Sequence, residues 1–178
     1  MGSRRYGGRM RWSELFDDLE AQVTRAEREA FEDEVRARAE SEAAAITLGA
    51  VLAASQGDTV RIALSDGTRL EGEVRDCAAQ WLHLGQGSRE WLVPATAIAT
   101  LDGPRFAAPD PGVASSRLTL GHALRALARA DAVVVVSAGD TRARGTVRVV
   151  GADYLVVESG AGRTVIPFAA ILSVSSAP

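Results

Sequence analysis

From Trp12 onward the apolar residues Trp12, Leu15, Phe16, Leu19, Val23, Ala26, Ala30, Phe31 and Val35 recur at steps of three and four, with acids and arginines between them. That period belongs to an amphipathic helix. Ser13 is placed to cap it, Glu14, Asp17 and Asp18 suit the positive end of its dipole, and no Pro or Gly intervenes before Gly49. The pattern predicts a long helix over 12–45, behind a flexible Arg-rich leader at 1–11. Its apolar stripe then needs cover from a partner helix, its own copy in a dimer, or a β face. Past this region the period falls to two. Val60, Ile62 and Leu64 alternate with Arg61 and Ala63, Asp66-Gly67 makes a hairpin turn, and Leu70, Gly72 and Val74 alternate with Glu71 and Glu73. Further strands are expected at 81–84, 90–93 and 98–101.

The same pattern returns 73 residues later. Residues 58–101 align without a gap on 131–174, pairing Asp58 with Asp131, Val60 with Val133, Arg69 with Arg142, Gly72 with Gly145, Arg75 with Arg148, Leu82 with Leu155, Pro94 with Pro167 and Ile98 with Ile171. Upstream, Thr47-Leu48-Gly49 recurs as Thr119-Leu120-Gly121, each opening a short helical pattern. Such self-similarity is sought before local structure because it sets the architecture. The second copy predicts strands at 133–136, 142–149, 154–158, 164–166 and 171–174. Between the copies, DGPRFAAPDPGVASS at 102–116 has the Pro, Gly and small residues of a linker. The expected fold is α+β and mainly β: two tandem five-stranded small barrels at 46–103 and 118–178, joined by a linker at 104–117. Each barrel is preceded by a short helix, and the long N-terminal helix stands ahead of both. Gly72 and Gly145 are expected where the second strand bends.

The stretch VRIALSDGTRLEGEVRDCAAQWLHL, residues 60–84, resembles the first signature of the Sm-like family of Hfq-like small barrels. The likeness rests on Gly67 and Gly72 five residues apart, followed by apolar positions at Val74, Cys77, Leu82 and Leu84. Other SH3-like barrels share part of this pattern. The Met-Arg-Trp opening of the helix is similar to that of a group of actinobacterial proteins. The resemblance implies a short helix ahead of a five-stranded barrel, and domains that pair strands with their neighbours. The departures bear on function. Ala78 and Gly151 stand where the family usually has an acid, Trp81 and Tyr154 where RNA-binding members offer a polar residue to a base, and Ala95-Thr96 and Phe168-Ala169 where bacterial chaperones carry Lys-His.

Charge refines this picture. The 178 residues carry a net charge of −3, lysine is absent and all 20 basic residues are arginine. Residues 1–11 hold four arginines and no acid, residues 12–45 eleven acids against four arginines, and the remainder twelve of each. A uniformly basic nucleic-acid binder is excluded, whereas a local basic stripe is not. Strand parity predicts such a stripe on the second copy alone, at Arg142, Arg144 and Arg148; the first copy offers Arg69, Glu71, Glu73 and Arg75 instead. Those three arginines are the candidate site for a nucleic acid or an acidic partner, and Trp81 and Tyr154 are possible stacking platforms. The competing reading makes the arginines a solvated face and the aromatics core.

No nucleophile elbow, P-loop, dinucleotide fingerprint or metalloprotease motif occurs, so no enzyme, no catalytic residue and no cofactor are expected. One cysteine and two histidines are too few for the usual zinc ligand set, and Cys77 reads as a buried apolar residue. His83 and His122 read as surface or structural. No apolar run is long enough to span a bilayer, which points to a cytoplasmic protein without membrane contact, and the missing motifs point to one without a small-molecule substrate. Two functions follow. The first is a non-enzymatic Sm-like scaffold or adaptor that assembles through barrel edges and binds protein partners or its own copies. The alternative is an RNA-binding post-transcriptional regulator that contacts phosphates through its arginines.

Overall fold

The computed structural model describes residues 28, 31–41, 43–104 and 118–177. The leader at 1–11, the first part of the 12–45 segment and residues 105–117 of the linker lie outside them. The chain divides into two compact units, Met1–Ala45 and Ile46–Pro178.

In the first unit, residues 31–41 form a helix, α1, and helical backbone recurs at 43 and 44. This corrects the expected long amphipathic helix: the described helices are all short. The physical reason is visible in the stripe itself. Every described side chain of α1 is exposed, Phe31 at 67% and Val35 at 51%, and helices in proteins are held mainly by burial of an apolar face.

The second unit opens with α2, Leu48–Ala54, whose N-cap Thr47 accepts a hydrogen bond from the Ala50 N–H at 3.2 Å. Five strands follow: β1 Thr59–Leu64, β2 Arg69–Ala78, β3 Trp81–Gln86, β4 Arg89–Pro94 and β5 Ile98–Asp102. The second copy repeats the series with α3 Leu120–Arg129, β6 Val133–Ala138, β7 Thr141–Val150, β8 Tyr154–Ser159, β9 Gly162–Pro167 and β10 Ile171–Ser176. A one-turn 3₁₀ helix precedes the last strand of each copy, at Ala95–Ala97 and Phe168–Ala170. At α3 the cap is again threonine. His122 Nδ1 accepts from the Thr119 N–H at 3.3 Å and lies 2.8 Å from the Thr119 hydroxyl.

The strands do not make two separate barrels. They form one ten-stranded antiparallel sheet in the order β5-β1-β2-β3-β4-β10-β6-β7-β8-β9, and its end strands β5 and β9 each have one partner strand among the described residues. The expectation fails twice: neither half closes into a barrel, and β4 of the first copy pairs with β10 of the second, Leu92 opposite Val174 and Trp91 opposite Ser175. An unpaired strand edge leaves N–H and C=O groups unsatisfied, and this pairing satisfies one such edge in each half. Buried side chains still gather in two clusters. One, around Leu52, Ile62, Leu82 and Val93, belongs to the first copy; the other, around Leu124, Val136, Leu155 and Ile171, to the second. The joint shares them: Ala78, Trp81 and Leu92 lie in the second cluster, and Leu172 packs on the first.

Irregularities recur at equivalent places. Val74 pairs with Leu84 and Asp76 with His83, which leaves Arg75 as the extra residue of a bulge; Arg148 is the extra residue of the matching bulge in β7. Likewise Ala99 in β5 and Leu172 in β10 are skipped where those strands pair with β1 and β6. One detail of the gapless repeat is corrected. Val134 pairs with Gly145 as Val60 pairs with Gly72, so Val134 rather than Val133 is the counterpart of Val60. The β6–β7 hairpin closes through Gly139-Asp140, one residue tighter in phase than its counterpart, and a run of four valines gives no polar residue to set parity. Val133 is therefore 50% exposed and Val134 2%.

Gly145 sits in β7 where the backbone of β8 crosses closest. A Cβ placed there would fall on the Glu158 carbonyl oxygen, and one at Gly72 would stand 2.9 Å from the Gly85 carbonyl oxygen. Both contacts are backbone, so neither can swing aside. Gly145→Ala is expected to lower unfolding free energy by about 1–3 kcal/mol, the usual cost of overpacking, and Gly72→Ala by less. Urea denaturation of the two variants measures both values and their order.

Candidate interaction surfaces

The arginine stripe is present on β7 but is not a free cationic row. Arg142 and Arg144 are exposed, and Arg144 has a partner of its own. Arg148 occupies the β7 bulge, and its guanidinium reaches Glu158 Oε2 and Asp131 Oδ1, each at 3.0 Å. Arg163 on β9 then meets the other oxygen of the same carboxylate at 2.9 Å. Asp131, Arg148, Glu158 and Arg163 thus form one alternating network across four elements of the second half. Arginine suits such a place because its planar fork can serve two carboxylates at once. Asp66, in the first hairpin, is held below the ordinary aspartate range chiefly by the Thr68 N–H and hydroxyl, with a smaller contribution from Arg142.

The two aromatics part company. Trp81 is a core residue, 5% exposed, and its indole N–H donates to the Leu118 carbonyl at 3.1 Å. Tyr154 is 38% exposed and packs its ring edge against Gly151. Only Tyr154 has ring surface to offer a base. His83 stands 3.7 Å from Glu90, and His122 caps α3. Cys77 is 1% exposed.

The residues with the strongest claim to an interaction are those of the sheet edges, which motif reading does not single out. At the joint, Leu92 is 8% exposed; its counterpart Val165 on the outer strand β9 is 63% exposed. By the same repeat, Leu101 and Asp102 on β5 are the counterparts of Val174 and Ser175 on β10. Among the described residues there is therefore one joined pair of edges and one matching pair left apart. A sequence signal existed for the charged network too: Asp58 and Arg75, seventeen residues apart, repeat as Asp131 and Arg148, which the fold brings into contact. No protein-family model matches the chain, and no curated protein matches it either. Among the described residues there is no helix long and apolar enough to cross a membrane, and no cluster of three or more side chains able to hold a metal.

Two measurements check this surface. Hydrogen bonds from Arg163 and then Arg148 hold the Glu158 carboxyl below its ordinary value of 4.5. A depressed carboxylate adds stability above the ordinary glutamate value, and that increment is lost as pH falls toward the folded value. NMR titration should find Glu158 titrating below 4.5, and Arg148→Ala should move it upward. Burial, with some help from Asp76, pushes the Cys77 thiol up to about 11. A thiol reagent at pH 8 should accordingly label Cys77 only after unfolding; immediate labelling of the folded chain would contradict its burial.

Proposed function

We propose that this protein is a non-enzymatic scaffold that assembles through the edges of its sheet and binds protein partners there. The observation that carries this reading is the β4–β10 joint. It is an edge-to-edge contact between two copies of one strand order, and a second set of the same edges is unjoined among the described residues. Transposed by the repeat, the register Leu92 to Val174 and Trp91 to Ser175 becomes Val165 to Leu101 and Thr164 to Asp102, with β9 of one chain laid against β5 of another. Such a contact is heterologous, so it joins chains head to tail into a closed ring or an open row. The Sm-like resemblance of residues 60–84 supports a binding role rather than a catalytic one.

The alternative, RNA contact through Arg142, Arg144 and Arg148, has less behind it. Arg148 is held by two carboxylates, Arg144 has a partner, and Trp81 is buried. A phosphate would have to displace acids already in place.

Light scattering across a concentration series tests the proposal. The chain, 18.7 kDa, should give species of higher mass as concentration rises. Burying a valine contributes roughly 1.5–3 kcal/mol, so Val165→Glu should weaken association by about tenfold or more. Val149→Glu, at an exposed residue of the inner strand β7, should leave it unchanged. A monomer at every concentration, or equal effects of the two variants, would overturn edge assembly.

A further inference from the structure

We propose that the groove beside the joint is a binding site for a small amphipathic organic anion, an apolar carboxylate or sulfonate. The groove lies between α3 and the strands β3, β4, β10 and β6, and encloses about 540 Å³. That size suits a small ligand, for which pockets run from about 300 to 1,000 Å³. Its apolar lining comes from both halves of the chain: Trp91 and Leu92 from β4, Leu127 from α3, Val134 from β6 and Val174 from β10.

The charges around that lining are unevenly engaged. The acids stand on the strand wall, where Asp76 accepts from the Cys77 N–H at 2.8 Å and Glu90 lies 3.7 Å from His83, so an anionic end is directed to the opposite, helix wall. On the helix side, Arg125 makes one bond of 3.3 Å, to the Gly151 carbonyl, and Arg129 has no hydrogen-bond or ion-pair partner among the described residues. An apolar trough flanked by two under-used guanidinium groups complements a ligand with a hydrocarbon body and one anionic end. Guanidinium also matches the two oxygens of a carboxylate or sulfonate. The first half has no equivalent. Aligned on the repeated Thr-Leu-Gly, Arg125 and Arg129 fall on Ala53 and Gly57, so one site per chain is expected.

Isothermal titration calorimetry of the full chain tests this with 1-naphthoate and monomeric dodecanoate as probes. Saturable one-site binding is expected, at least about tenfold tighter than for the uncharged naphthalenemethanol and the cationic naphthylmethylamine, as charge-assisted hydrogen bonds imply. Arg125→Glu and Arg129→Glu should each weaken naphthoate by a similar factor, whereas Arg142→Glu on β7 should not. Leu127→Trp should fill the groove and reduce binding of both probes, with circular dichroism checking that each variant is folded. Absence of binding, equal affinity for the alcohol or the amine, or insensitivity to both α3 arginine changes would overturn the proposal. Because Val165→Glu acts on the outer edge, its effect on assembly is read separately from any result here.

Discussion

The pairing of β4 with β10 is the contact on which the rest of the second unit depends. Without it, each copy would end in two open edges; with it, ten strands share one hydrogen-bonded ladder. Side chains reinforce the ladder on both sides. Leu92 enters the cluster of the second half, while Leu172, the extra residue of the β10 bulge, packs on that of the first. Gln80 adds a polar tie, its side-chain carbonyl accepting from the Leu120 N–H at 3.3 Å and so serving one of the donors that the start of α3 leaves open. Trp81 adds another through the Leu118 carbonyl. α3 is thus anchored in the first half of the chain, and the groove beneath it exists because the halves are joined.

Both halves bend their sheet with the same devices. Arg75 and Arg148 interrupt the pairing of the second strand with the third, Ala99 and Leu172 that of the last with the first, and Gly72 and Gly145 let neighbouring backbones approach where a Cβ would collide. A bulge twists a strand and shifts the face its side chains occupy. Leu172 reaches a neighbouring core for this reason, and Arg148 leaves the row of Arg142 and Arg144 to meet Asp131 and Glu158. The exposed Ala99, at the corresponding place on the open strand β5, is a smaller version of the same feature.

The strands and their repetition were legible because alternation of apolar and polar residues is a local signal, clearest in Val60, Ile62 and Leu64. The repeated threonines marked both short helices by the hydroxyl chemistry of a cap. Parity was legible only where a polar residue breaks the apolar run, and Val133–Val136 lacks one. The resemblance implied pairing between neighbouring domains, but not which strands meet or that they merge into one open sheet. Nothing in Trp91-Leu92 or Val174-Ser175 names its partner, since an edge is recognised through backbone groups common to every sequence. The arginine site was half legible: strand parity located the residues and the repeated Asp–Arg spacing hinted at Asp131, but Glu158, on the neighbouring strand, carries no such mark. α1 shows the opposite failure, a clean helical period whose described apolar residues remain exposed.

Amide hydrogen exchange on the full chain, diluted to where light scattering finds the monomer, tests the joint most directly. β4 and β10 are paired on both sides, whereas β9 is paired on one. If the joint holds the two halves as one sheet, peptides covering 89–94 and 171–176 should exchange as slowly as those from β3 and β6, and more slowly than the peptide covering 162–167. Exchange across 89–94 and 171–176 as fast as at the outer strand β9 would contradict a single sheet and return the chain to two separate halves.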